Sequence, residues 1–185
     1  MNKINVSYGF IAAICILGWL DGLLCAWFLV ALTCHEIGHL VAMRFTGAPI
    51  YSFRLFAAGA MIRGGFLSYR QELACAAAGP VFSFLLCLLS YRWQPELAVL
   101  SVALGVFNLL PIYPLDGGRI LRAALLLRWE EPVVEGVLRR VTAAVCCLLM
   151  IGACWTAAEL QAGLWPVFVA LVILWRVGQA DWQER

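Results

Sequence analysis

Between Asp21 and Gly47 runs an apolar stretch, Leu23 to Phe45, and inside it stand the only two histidines of the chain, in His35-Glu36-Ile37-Gly38-His39. Few folds are open to such a segment. About 20 apolar residues suffice to cross a bilayer, and the backbone there must satisfy its own hydrogen bonds, which a helix does. On a helix, residues four apart share one face, about 6 Å along the axis. Two imidazoles so placed can bind one Zn²⁺ at roughly 2.0–2.1 Å each, with the intervening Glu36 projecting close to the remaining metal positions. That Glu can take a proton from the water the metal activates, which is the chemistry of a zinc hydrolase. The bland alternative is a packed helix whose histidines bond neighbouring carbonyls. It leaves two His and a Glu in apolar surroundings without a partner charge, and that is costly.

The rest of the chain is of the same kind. It is 64% hydrophobic and 13% charged, which points to an all-α polytopic membrane protein. Six apolar segments read as transmembrane helices: about Val6 to Leu20, Leu23 to Phe45, Glu72 to Tyr91, Leu97 to Tyr113, Val137 to Ala158 and Leu160 to Val177. Between the second and third, residues Ile50 to Phe56 alternate with period two, and Gly59 and Gly64-Gly65 supply turn points. This predicts a short re-entrant β-hairpin at the membrane face, lining the protein interior or the interface. Gly79-Pro80 interrupts the third span, behind an Ala76-Ala77-Ala78 run small enough for close helix approach. Ile120 to Leu127, punctuated by Arg119, Arg122 and Arg128, is too short to cross and reads as an interfacial helix.

At 185 residues the chain is expected to form a single domain, 1–185, with its core at about 23–119. The eight cysteines contain no CxxC and nearly all lie in apolar runs, so they read as reduced packing residues. Lys3 followed by an apolar run resembles a signal peptide, but no small-residue cleavage site follows and Leu24 spoils a lipoprotein-type site at Cys25. The N-terminus is therefore expected to be a retained signal anchor. A net charge of +2 spread between apolar runs gives no nucleic-acid footprint.

The cations instead set topology. With six spans and the N-terminus in the cytoplasm, Arg92 is the one basic residue of thirteen to fall outside, as the positive-inside rule requires. Both termini are then cytoplasmic. His35 lies about 18 Å from the outer end of its span and His39 about 9 Å from the inner end, so the metal would sit within the bilayer, nearer the cytoplasm.

A zinc hydrolase needs a third protein ligand and keeps the fourth position for water. Glu130, Glu131, Glu135 and Glu184 read as cytoplasmic loop or tail residues; Glu96 and Glu159 fall on the outer side; Glu72 suits a helix N-terminal charge. Asp116 fits best. It ends the fourth span in backbone broken by Pro111, Pro114 and two glycines, tolerated at that depth where it is buried or lines a wet cavity. The alternative is a turn or cap residue before the short helix from Arg119, and on spacing alone the two stay open.

An HExxH in one span, followed about seventy residues later by Asn108-Leu-Leu-Pro111-Ile-Tyr-Pro114-Leu-Asp116-Gly117-Gly118, resembles the site-2 protease family of intramembrane zinc metalloproteases. The likeness runs from about Leu23 to Arg119. It implies one Zn²⁺ per chain held by His35, His39 and Asp116, with Glu36 as general base. It also implies Asn108 near the substrate as a donor to the strained carbonyl, where a polar interhelical bond is the plainer alternative. The glycine-rich strand after HExxH is similar to the family's substrate-pairing strand, so Ile50 to Ile62 could bind an unwound substrate by β-augmentation, or could simply shape the membrane face. The absence of a PDZ-like insertion and the six-span pattern are similar to the branch that processes a membrane-associated pro-sigma factor in sporulation. Residues 1–185 lack that branch's C-terminal CBS domain. The implied partners are the lipid bilayer, a membrane-anchored protein substrate (a sigma or anti-sigma factor among them) and a membrane regulatory or inhibitory protein, in a bacterial cell membrane. Two rival readings remain: an HExxH membrane protease of the prenyl-protein or heat-shock type with a Glu as third ligand, and a non-catalytic zinc carrier.

Overall fold

A computed structural model describes residues 3–6, 15, 18–19, 21–47, 50–56, 59–64 and 68–159. Isolated positions apart, the expected first span lies outside the described residues, as does the whole of the sixth. The elements are β1 (Lys3–Val6), α1 (Gly22–Thr46), β2 (Ile50–Phe56), β3 (Gly59–Gly64), α2 (Tyr69–Ser90), α3 (Pro95–Asn108), α4 (Asp116–Leu126) and α5 (Glu131–Glu159). They divide between two compact units, Met1–Asn108 and Leu109–Arg185.

In the first unit, α1 starts and stops where its sequence dictates. Asp21 is extended and its Oδ1 accepts from the N–H of Leu23 at 3.0 Å and of Leu24 at 2.9 Å, satisfying two of the donors that open a helix. Gly47, at φ +71°, turns the chain out and returns its N–H to the Met43 carbonyl, a conformation that costs glycine little. After the strands, Ser68 and Gln71 form a reciprocal capping box that opens α2. The same Gln71 donates from Nε2 to the Thr46 carbonyl at 3.1 Å, so the start of α2 is tied to the end of α1.

The packing between these helices uses small residues. A Cβ at Gly38 would lie 2.6 Å from the Ala78 carbonyl oxygen, so α1 and α2 approach backbone to backbone there. The buried face of α2 is Cys75, Ala76, Gly79, Pro80 and Ser83, and that of α3 is Leu97, Ala98, Ser101 and Gly105. Small interfacial residues of this kind let helices approach where lipid supplies no hydrophobic drive. The other face of α2, Val81, Phe84, Leu85, Leu88 and Leu89, is exposed; a water-soluble protein rarely leaves such a patch bare. Among the described residues, three helices are long and apolar enough to cross a membrane: Gly22–Thr46, Tyr69–Ser90 and Glu131–Thr156. In the backbone of residues 3–64, β2 pairs antiparallel with β3 (Phe56 opposite Gly59, Ile50 opposite Gly64) and parallel with β1 (Lys3 opposite Ser52), giving the order β1-β2-β3.

Three boundaries differ from expectation. The fourth apolar segment is helical only to Asn108, 14 residues or about 21 Å, because Pro111 has no N–H to give and pushes Leu110 out of the helical region. In the second unit, α4 starts at Asp116 rather than beyond Arg119. The preceding loop is tight, with Ile112 N–H on the Leu110 carbonyl at 2.7 Å and Leu115 N–H on the Ile112 carbonyl at 2.8 Å. Ile112 is wholly buried. Finally, α5 starts at Glu131, so Glu131 and Glu135 belong to its first turns instead of a loop. Pro132 suits a helix start, and Arg122 of α4 reaches both acids, Nη2 to Glu131 at 2.8 Å and Nε to Glu135 at 2.7 Å.

Candidate metal centre

Helix α1 carries His35 and His39 one turn apart on its buried face, with relative exposures of 2% and 7%; Glu36 beside them is exposed by 8%. Their rings meet edge to face, centroids 4.9 Å apart, and the two Nε2 atoms are 3.2 Å apart. Helix α2 holds the other side of each ring. His39 Nδ1 lies 2.8 Å from the Cys75 carbonyl oxygen. A carbonyl only accepts, so Nδ1 bears the hydrogen and Nε2 the lone pair. His35 Nδ1 lies 2.9 Å from Ser83 Oγ, and a hydroxyl can accept in the same way.

The donor set fits zinc. Two nitrogens bound tetrahedrally at zinc's usual bond length are about 3.3 Å apart, close to the 3.2 Å between these Nε2 atoms. Gly79, between the two anchoring residues on α2, has no room for a side chain. A Cβ there would collide with the His39 ring and come within 2.8 Å of His35 Nε2.

Asp116 opens α4 and is 6% exposed. It is the first helical residue and not the cap: Leu115 takes that place, with no side-chain cap bond. Gly117 and Gly118 follow because the loop lies against them: a Cβ on Gly117 would collide with the Leu109 carbonyl, and one on Gly118 with the Ile112 and Tyr113 backbone. Arg119 Nη1 stands 3.4 Å from Asp116 Oδ1. Among the described residues, ligand atoms of His35, His39 and Asp116 all lie within 4.8 Å of one another. Glu72, in the first turn of α2, is not part of that group. Asn108 closes α3, half-buried, with Nδ2 donating to the Leu104 carbonyl at 3.0 Å.

Sequence reasoning did not single out Ser83, the Cys75 carbonyl or Arg119. Residues 75, 79 and 83 fall at helical spacing on one face, but in the sequence they show only as small residues near a proline, and a backbone carbonyl has no sequence signature.

The fold and this centre define a class: helical membrane proteins that keep an HExxH metal site in an apolar helix. Residues 95–152 match the model of peptidase family M50. The chain is 31% identical to a putative zinc metalloprotease, Rip3, of Mycobacterium tuberculosis, over 78% of this chain and 42% of that one. It is 32% identical to a zinc metalloprotease of Methanocaldococcus jannaschii, over 52% of this chain and 32% of the relative. To stage IV sporulation protein FB of Bacillus subtilis it is 29% identical, over 92% of this chain and 64% of that one. The solved site-2 protease of Methanocaldococcus jannaschii has the same fold, with a TM-score of 0.73 at 22% identity over 95% of this chain and 89% of that chain. These likenesses all point one way: the chain is similar to peptidase family M50, the site-2 proteases, over the matched residues and in fold. It spans less than half the length of the mycobacterial and methanogen relatives, 42% and 32%.

Proposed function

We propose that this chain is a zinc-dependent intramembrane endopeptidase that hydrolyses a peptide bond in or near a transmembrane segment of a membrane-anchored protein. The observation that carries the reading is the approach of two imidazoles and one carboxylate to within 4.8 Å in a buried, apolar setting. His35, His39 and Asp116 would hold one Zn²⁺. Bound there, zinc acts as a Lewis acid and makes water nucleophilic near neutral pH. Glu36, one residue from His35 and buried beside it, accepts the proton of the attacking water and returns it to the leaving amine. Asn108 donates to the substrate carbonyl once substrate draws its amide from Leu104.

A helical substrate shields its peptide bonds, so a segment has to unwind before attack. With β2 flanked on both sides in the order β1-β2-β3, β3 offers an edge on which an extended substrate could add a strand. The proposed enzyme is a single intramembrane domain over residues 1–185, multi-pass with both termini cytoplasmic, the topology that the distribution of basic residues favours. A sigma or anti-sigma factor is the narrower substrate class, supported by the likeness to the sporulation relative.

The test is Glu36→Gln in proteoliposomes with a single-pass reporter substrate. Zinc content should stay at one per chain while cleavage falls below detection. Undiminished cleavage would remove Glu36 as the base. In native membranes, crosslinking from the same variant should accumulate the substrate.

A further inference from the structure

We infer that residues Cys75, Gly79 and Ser83 of α2 form a positioning face for the imidazole pair, in which Ser83 is the side chain that fixes how His35 presents its ligand nitrogen. The inference rests on the zinc reading above. The three residues are spaced four apart and share one side of the helix. The outer two engage the far nitrogens: the Cys75 carbonyl takes His39 Nδ1 at 2.8 Å and Ser83 Oγ takes His35 Nδ1 at 2.9 Å. The middle one contributes an absent Cβ, without which the rings could not converge. With Nδ1 bonded on both rings, both Nε2 lone pairs are directed to one point.

The two anchors differ in how they can be altered. A backbone carbonyl is fixed by the helix, whereas the Ser83 hydroxyl is a side chain, wholly buried, and can be removed by a single atom. Burying a hydroxyl among apolar helices is costly unless it is bonded, and here its partner is a metal-binding ring. Partners of this kind set ring orientation and basicity, and losing one weakens metal binding by about 10–100-fold. Ser101 is the matched control. It is equally buried, on α3, but its Oγ donates to the Leu97 carbonyl at 2.7 Å, within its own helix.

The experiment measures zinc affinity by chelator competition on the purified full chain in detergent, with visible spectra of the Co²⁺-loaded protein and thermal unfolding alongside. Ser83→Ala should weaken zinc about 10–100-fold and shift the Co²⁺ ligand-field bands. Ser101→Ala should leave both as in the unaltered protein, with similar unfolding temperatures for the two variants. Unchanged affinity and spectrum in Ser83→Ala overturn the inference. Equal losses in both variants also overturn it, because packing would then be the cause. An unaltered protein that binds no zinc overturns the metal reading itself, a result distinct from either.

Discussion

Gly79 leaves no room for a side chain beside the two imidazoles, and a single methyl there is the smallest change that should separate zinc binding from folding. Gly79→Ala is expected to lose bound zinc while the helices persist, read as metal content against helical circular dichroism; full zinc content would show that the rings can move aside. The third ligand is tested the same way. Asp116→Ala should lose zinc and Glu72→Ala should keep it; the reverse would favour a protease with a Glu ligand. Much of this centre was legible in the sequence. His35, Glu36 and His39 declare themselves through spacing, because helical geometry alone puts the two rings on one face. Asp116 was less so, since an aspartate before two glycines is also what a turn looks like. In the structure the carboxylate is buried in the first turn of α4, and the glycines are there for the loop pressed against them. Ser83 was not legible at all. Nothing in a serine within an apolar run says which ring nitrogen it meets 48 residues away.

Among the elements, α1 and α2 meet at Gly38, where a Cβ would fall 2.6 Å from a helix carbonyl. The Ala78 backbone cannot give way as a flexible side chain would, so α1 itself must move. Gly38→Ala should destabilise the helix pair by about 1–3 kcal/mol, the usual range for overpacking. It should also lower activity, because His35 and His39 flank the contact; denaturant unfolding in detergent gives the first number, and no change would mean the helices are less tightly apposed. The Arg122 pairs are a contrast. Their acids are 66% and 39% exposed, so Arg122→Ala should cost less than about 1 kcal/mol. Element types followed from hydropathy, but ends did not. Asn108 ends α3 because of a proline three residues on, and Pro132 suits the start of α5 at Glu131. Both of those causes are local; the pairing of Arg122 with Glu131 and Glu135 is tertiary and could not be read.

At the scale of the whole molecule, orientation in the membrane decides whether the proposed chemistry faces water on the cytoplasmic side. Arg44 and Arg70 lie at the turn joining α1 to α2; Arg92 lies at the turn between α2 and α3; Arg119, Arg122, Arg128, Arg139 and Arg140 follow α3. Alternate turns thus differ sharply in positive charge, and the positive-inside rule predicts the richer set on the inner side. Tyr91 and Trp93 are exposed at the lightly charged turn and Trp129 is exposed near Arg128, residue types enriched at membrane–water boundaries. On the proposed orientation the metal ligands on α1, about two turns from the arginine-rich end, would lie within reach of cytoplasmic water. Topology reporters fused after Gly47, Gln94 and Arg128 should show cytoplasmic, external and cytoplasmic ends in that order. The opposite pattern would put these seven arginines, and Arg54 and Arg63 of the same α1–α2 connection, on the outer surface and the centre nearest the wrong solvent. The proposed cleavage would then have to release its product outward, and the class of substrate would change with it.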